Sequence, residues 1–249
     1  MVSKSQISLI KSLQQKKFRK EQRLFVAEGF KSVAEFITSG YRIHTLYHTP
    51  AVSAKMHKLL NKTNSEEISA ADLQKMSSLT TPQEVLAVIH LPQWPQLTRH
   101  DLLNRFTLVL DGVQDPGNLG TIIRTADWFG IKNIICSEDT VDAYNPKVVQ
   151  ATMGSLARVN LHYTNLAKLL PQLNLPLFGA MLDGENIYNT NFGTEGLIAM
   201  GNEGNGLRTE IQELITKSVT IPRAGKAESL NVAIATALFC SEISRASLK

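Results

Sequence analysis

Three times in the C-terminal half of this chain, an apolar strand-like run gives way to a Gly/Asn/Ser-rich turn and then to a helix-like run. The segments are Leu110-Asp-Gly-Val-Gln-Asp-Pro-Gly-Asn-Leu-Gly-Thr-Ile-Ile-Arg-Thr-Ala126, Ile198-Ala-Met-Gly-Asn-Glu-Gly-Asn-Gly-Leu207 and Ile221-Pro-Arg-Ala-Gly-Lys-Ala-Glu-Ser-Leu-Asn-Val-Ala233. Alternation of strand and helix marks an α/β architecture. In an open sheet of that kind the turns that follow the strands gather at the carboxyl edge, where ligands bind. Three separated segments are therefore expected to form one site.

The strand that feeds the first segment, Phe106-Thr-Leu-Val-Leu110, is a continuous apolar run of the kind buried on both faces of a parallel sheet. Asn118 is a candidate N-cap for a helix running to Phe129. Further strands are expected at 133–136, 158–162, 177–181, 197–200 and 218–221, with helices near 145–153, 165–172, 207–217 and 229–247. The last helix is apolar nearly all the way round, from Leu230 through Val232, Ile234, Leu238 and Phe239 to Ile243. Such a helix calls for burial on every side, either inside its own domain or against a second subunit.

Upstream, residues 24–89 read as a smaller α/β unit. Strands are expected at 23–28, 42–47, near Ile68 and at 84–90, and helices at 29–39, 51–60 and 70–77. Leu91-Pro-Gln-Trp-Pro-Gln-Leu-Thr98 carries two prolines and no periodicity, which reads as a linker. The expected division is 1–91, a linker at 92–104, and 105–249.

Charge is concentrated at one end. Residues 1–31 hold Lys4, Lys11, Lys16, Lys17, Arg19, Lys20, Arg23 and Lys31 against Glu21 and Glu28, a net +6 in a chain whose total is +4. The other 218 residues therefore sum to −2. A solvated helix face or a polyanion contact both fit this cluster. Cys136 and Cys240 lie in apolar runs without a Cys-x-x-Cys partner, as reduced core residues of a cytoplasmic protein do. No apolar run reaches the roughly 20 residues of a membrane span, and the first residues lack the apolar core of a signal peptide.

Several chemistries are excluded by pattern. The glycines Gly201, Gly204 and Gly206 are spaced in the reverse order of the dinucleotide fingerprint, and no P-loop is present. His44 and His48 have no third ligand beside them, so no metal is expected. What remains are turns rich in backbone donors and acceptors, suited to a flat, hydrogen-bonding ligand such as a nucleoside.

The three segments resemble the signature motifs of the SpoU/TrmH family of RNA ribose 2′-O-methyltransferases. Asn118, Gly120 and Arg124 match the first motif. Met200, Gly201, Glu203 and Gly206 match the second, and Ile221, Pro222, Ser229, Leu230 and Asn231 the third. Gln150-Ala-Thr-Met-Gly-Ser155 is similar to a helix end of the same family, and Leu24-Phe-Val-Ala-Glu-Gly29 to its ribosomal-protein-like substrate-binding domain. The resemblance implies a C-terminal α/β trefoil-knot methyltransferase domain with a mostly parallel sheet, preceded by a small N-terminal α/β domain. It also implies S-adenosylmethionine as methyl donor and a homodimer through the C-terminal helix.

On this resemblance the cofactor contacts are Gly201, Ile221 and Leu230, with Met200, Glu203, Gly204, Pro222 and Ala233 around them. The catalytic set is Arg124, Asn118, Ser229, Asn231 and Glu203. Arg124 is either a general base or, since guanidinium stays protonated, a clamp on phosphate and developing oxyanion. Lys16, Lys17, Arg19, Lys20 and Arg23 are the expected RNA contacts, and Arg223 reaches RNA or solvent. The expected substrate is ribosomal RNA, the alternatives being transfer RNA or a non-catalytic RNA-binding role.

Overall fold

The computed structural model describes residues 2–52 and 63–245, which divide into two compact units. The first comprises Met1–Gln93 together with Asp142–Arg158, the second Trp94–Val141 and Val159–Lys249. Most of the helix expected at 51–60 lies outside the described residues.

The first unit opens with helices α1 (Lys4–Ser12) and α2 (Lys16–Gln22), then β1 (Leu24–Glu28), α3 (Phe30–Thr38), β2 (Ile43–His48), β3 (Ser65–Glu67), α4 (Ala70–Met76) and β4 (Val85–His90). Its sheet runs β1-β4-β2-β3, with β4 antiparallel to both neighbours and β3 parallel to β2. Strand alternation divides the core. Leu24, Val26, Leu86 and Val88 face a cluster with Ile10, Leu13, Leu73 and Met76 from α1 and α4. On β1 the intervening Phe25 meets the rings of Phe36, Tyr41 and Tyr144 edge-on or tilted, at centroid separations of 4.8–6.3 Å. Tyr144 belongs to the inserted segment 142–158, which also brings helix α7 (Pro146–Thr152) and a 3-10 turn at Ser155–Ala157.

Arg19 corrects one expectation. It is 2% exposed, donating through Nη1 to the carbonyls of Leu13 and Gln14 and through Nε and Nη2 to Asp142. A guanidinium with its donors committed in the interior is not an RNA contact. Lys16, Lys17, Lys20 and Arg23 are exposed.

In the second unit the expected linker includes a short helix, α5 (Arg99–Leu102), started by a Thr98/Asp101 capping box. There follow β5 (Phe106–Leu110), α6 (Pro116–Trp128), β6 (Asn133–Ser137), β7 (Asn160–Thr164), α8 (Leu166–Leu173), β8 (Leu177–Asn186), β9 (Gly196–Met200), α9 (Thr209–Gln212), β10 (Lys217–Thr220) and α10 (Val232–Ser244). The six strands pair in the order β10-β8-β9-β5-β6-β7, every pair parallel. Val109, Ile135, Leu177, Leu197 and Ala199 face α8 and α9 on one side of the sheet. α6 and α10 pack together, and α10 also contacts β9. Cys136 and Cys240 are free and buried, as expected.

One further expectation changes here. The cap of α6 is Asp115, whose carboxylate accepts from the Asn118 N–H at 2.7 Å, with Pro116 opening the helix; Asn118 sits inside the first turn. The terminal helix is only partly covered by its own chain, which narrows the two alternatives for its burial: Ile234 is 55% exposed, and Leu230 just before it 48%. Between Gly179 and Glu185 strand β8 loops out from β10, because the adjacent residues Ser218 and Val219 pair with positions six apart.

Candidate active site

The site forms where β5, β9 and β10 end. Asp111, at the end of β5, has a fully buried carboxylate that accepts from the backbone N–H of Arg208 at 2.8 Å and from its Nε at 2.7 Å. The pairing raises the Arg208 pKa, with burial working against it. Asp139, whose carboxyl is drawn below the usual range by the Ser137 hydroxyl and by Arg208, stands 3.6 Å from the same guanidinium. This ion pair ties the turn after β9 to the end of β5 and leaves Arg208 committed.

The turn after β9 is closed by its own backbone. Asn202 and Gly206 exchange hydrogen bonds of 2.9 and 3.0 Å, and the Asn202 side chain accepts from the amides of Gly204 and Asn205 while donating to the Gly112 carbonyl at 2.7 Å. Gly201 is required by close approach, since a Cβ there would fall on the backbone of Gly206 and Leu207.

One relay joins the three segments. The Asn118 amide donates to Glu203 at 2.9 Å, and the Asn231 amide donates to the Asn118 carbonyl oxygen at 2.9 Å. The Asn231 carbonyl oxygen caps α10, accepting from Ala233 and Ile234. Each member of this chain is neutral or accepts a neutral donor, and each holds the next in one orientation.

The remaining expected residues divide by exposure. Arg124 lies on the exposed face of α6 with Thr121 and Trp128, and among the described residues it makes no hydrogen bond or ion pair. Residues 222–231, including Pro222, Ser229 and Leu230, are exposed, and Ile221 is half-buried. Met200 and Ala233 are buried at 2% and 3%. The amides of Gly204 and Ala233 are already spent within the protein. Arg223 donates to the Ala227 carbonyl at 3.0 Å and so closes its own loop.

Asp111, Asn202 and Arg208 were not singled out from the sequence, because their roles depend on contacts across about 90 residues of chain. Asp115 was legible: an Asp-Pro pair before a periodic run is a helix start.

A parallel sheet whose carboxyl edge offers neutral amides, close backbone turns, exposed apolar side chains and one uncommitted arginine defines a nucleoside-binding α/β enzyme fold. Comparison with known proteins makes this specific. Residues 105–241 match the SpoU rRNA Methylase family, and residues 4–87 match the MRM3-like substrate binding domain. The chain belongs to the SpoU rRNA methylase family. The 23S rRNA (guanosine(2553)-2′-O)-methyltransferase RlmP of Bacillus subtilis is 35% identical over 64% of this chain and 63% of its own length. A structure assigned to an RNA methyltransferase of the TrmH family from Porphyromonas gingivalis is 39% identical with a TM-score of 0.88, covering 99% of each chain. The AdoMet-bound rRNA methyltransferase from Sinorhizobium meliloti is 29% identical, also at a TM-score of 0.88, over 100% of this chain and 98% of its own.

Proposed function

We propose that this chain methylates a ribose 2′-hydroxyl of ribosomal RNA with S-adenosylmethionine as donor. The observation that carries the reading is the Glu203–Asn118–Asn231 relay, which locks the three family motifs together while leaving Arg124 uncommitted. Family membership supports the methyl donor and the knotted fold, and the Bacillus relative supports ribosomal over transfer RNA.

The donor set suits the cofactor. Gly201 brings backbone close without a side chain, and Ile221 and Leu230 leave apolar surface open beside polar loops, as an adenosine moiety requires. These three residues would hold it, with Met200, Glu203, Gly204, Pro222 and Ala233 shaping the turns around them. When bound, S-adenosylmethionine supplies a sulfonium-activated methyl group open to in-line attack.

The protein's part is orientation and charge. Asn118 and Asn231 hold their loops in a fixed relation, which lowers the entropy cost of aligning a ribose. Ser229 is an exposed hydroxyl two residues before Asn231, placed to hydrogen-bond the sugar. Arg124 offers unspent donors to a phosphate and to the developing 2′-oxyanion. We assign it the role of clamp, since an arginine side chain stays protonated in proteins and so has no lone pair with which to take up a proton. Arg124→Lys is then expected to keep measurable turnover, and complete loss would argue for the base.

Residues 1–91 serve RNA recognition and 105–249 catalysis in this reading, with 92–104 between them. A homodimer is supported by the exposed Leu230 and Ile234 and by Trp128, which is 84% exposed on α6, the helix that packs against α10. Sedimentation of Ile234→Asp against the parent checks it. A cytoplasmic setting is supported by the two free buried thiols; burial pushes that of Cys240 up to about 12. Among the described residues no helix is long and apolar enough to cross a membrane. Ribose-methylation mapping of total RNA with and without the protein tests the assignment: a lost mark in ribosomal RNA supports it, a mark lost only in transfer RNA replaces the substrate, and no lost mark removes it.

A further inference from the structure

We infer that Arg19 and Asp142 are positioning residues that hold one flank of α2, carrying Lys16, Lys20 and Arg23, as the surface that tracks the RNA phosphate backbone. The inference rests on the reading of this chain as an RNA-modifying enzyme and names the surface by which the first unit grips its substrate.

Arg19 enters the interior from α2 and ties three things together. Its Nη1 closes the end of α1 through the carbonyls of Leu13 and Gln14 at 2.8 and 2.9 Å. Its Nε and Nη2 both reach Asp142 Oδ2, at 3.0 and 2.6 Å. The other carboxylate oxygen of Asp142 accepts from the Tyr144 amide at 3.1 Å, and the Tyr144 ring lies against Phe25 of β1. The rotation of α2 about its own axis is therefore set by a buried, doubly bonded ion pair. Both groups depend on each other, because either charge left alone there would be unpaired in the interior.

With Arg19 pointing inward, helical geometry fixes where the other basic residues stand. Lys16 and Lys20 are four residues apart and share one flank of α2, and Arg23, the left-handed residue that ends the helix, follows three residues later. All three are exposed, and among the described residues none has an ion-pair partner. Lys17 stands about 100° round the helix from Lys16, with its ammonium 3.9 Å from Glu21. The flank thus carries three uncompensated positive charges and no acid. That is the arrangement for sequence-independent phosphate contact, whereas the remaining chain is net negative.

The test is a double-mutant cycle on the full chain, with a 23S ribosomal RNA transcript as probe and binding measured at several salt concentrations. Lys16→Gln/Lys20→Gln is expected to weaken binding about tenfold or more at low salt. It should lower the slope of log affinity against log salt by about 1.4–1.8, as loss of two phosphate contacts requires. Asp142→Ala should weaken binding several-fold with a shallower salt slope, leave S-adenosylmethionine affinity unchanged, and add nothing in the Lys16→Gln/Lys20→Gln background. Asp142→Asn keeps the shape and one acceptor but removes the charge that pairs Arg19; it should show a smaller loss of the same kind, again absent in the Lys16→Gln/Lys20→Gln background, and stands in should the alanine variant fail to fold. Additive losses would show that the pair acts by general stability and would overturn the inference. So would an unchanged salt slope in the lysine variant. Neither result touches cofactor binding or the requirement for Arg124, so the enzymatic reading would survive.

Discussion

Two arginines in two units of this molecule are treated in opposite ways. In the first unit Arg19 is buried and makes four hydrogen bonds, two of them to Asp142. In the second unit Arg124 stands on an exposed helix face with no partner among the described residues. Both lie on helices, and both were expected to meet RNA. What separates them is whether the protein already satisfies the guanidinium. A buried and saturated one holds structure, and an exposed, unsatisfied one is free to act on a ligand. Arg208 shows the intermediate case, half in solvent yet committed to Asp111.

The contrast is most open to attack at Arg124. Arg124→Ala should lower methyl transfer by about 10²–10³-fold, the usual loss when a preorganised donor to developing charge is removed. Calorimetry with S-adenosylmethionine should show unchanged affinity, and single-turnover assays would expose any retained activity. Committed charge should behave differently. Asp111→Ala removes the buried end of the Arg208 anchor, leaving the guanidinium only Asp139 at 3.6 Å, and is expected to cost about 2 kcal/mol of stability, read from urea unfolding. A loss of activity without loss of stability would make Asp111 part of the chemistry.

Neutral polar anchors should matter less for stability. Asn118→Ala deletes two hydrogen bonds, to Glu203 and from Asn231, and should cost about 1–2 kcal/mol. Its turnover should fall more than its melting temperature suggests, since the relay aligns all three loops. Equal losses in Asn118→Ala, Asn231→Ala and their combination would establish the relay as one unit.

The smallest expected effect is a pH dependence. Burial lowers the pKa of His162 in the fold, with nearby Asp101 opposing, so the unfolded chain binds the proton more readily. The stability linked to His162 is then present above the unfolded value of about 6.5 and lost as pH falls through the folded one. Melting curves at pH 7.5 and 5.5 should differ less in His162→Gln than in the parent.

Much of the second unit could be read along the chain because its signals are local. Phe106–Leu110 is apolar without interruption, and each motif glycine or asparagine sits in the turn that follows a strand. The charges were less legible. Lys16, Arg19 and Lys20 look alike in sequence, and only the position of Asp142, 123 residues from Arg19, distinguishes the inward one. The all-round apolar surface of α10 left two covers open, its own domain or a second subunit, because such a surface does not reveal whether its cover comes from the same chain; Ile234 shows that the chain itself leaves part of it uncovered. The excursion of 142–158 into the first unit has no compositional mark, since Pro146–Thr152 reads as an ordinary amphipathic helix.

That excursion bears on how such a protein can change over time. A substrate-recognition module attached only at its end can be exchanged like a cartridge, by recombination at the hinge. Here the ring of Tyr144 and the carboxylate of Asp142 come from a stretch encoded between two strands of the catalytic sheet. A new recognition module inherited without that stretch would arrive with Arg19 unpaired and one side of Phe25 bare. The two units are thus expected to be inherited together, with Arg19 and Asp142 retained or replaced as a pair.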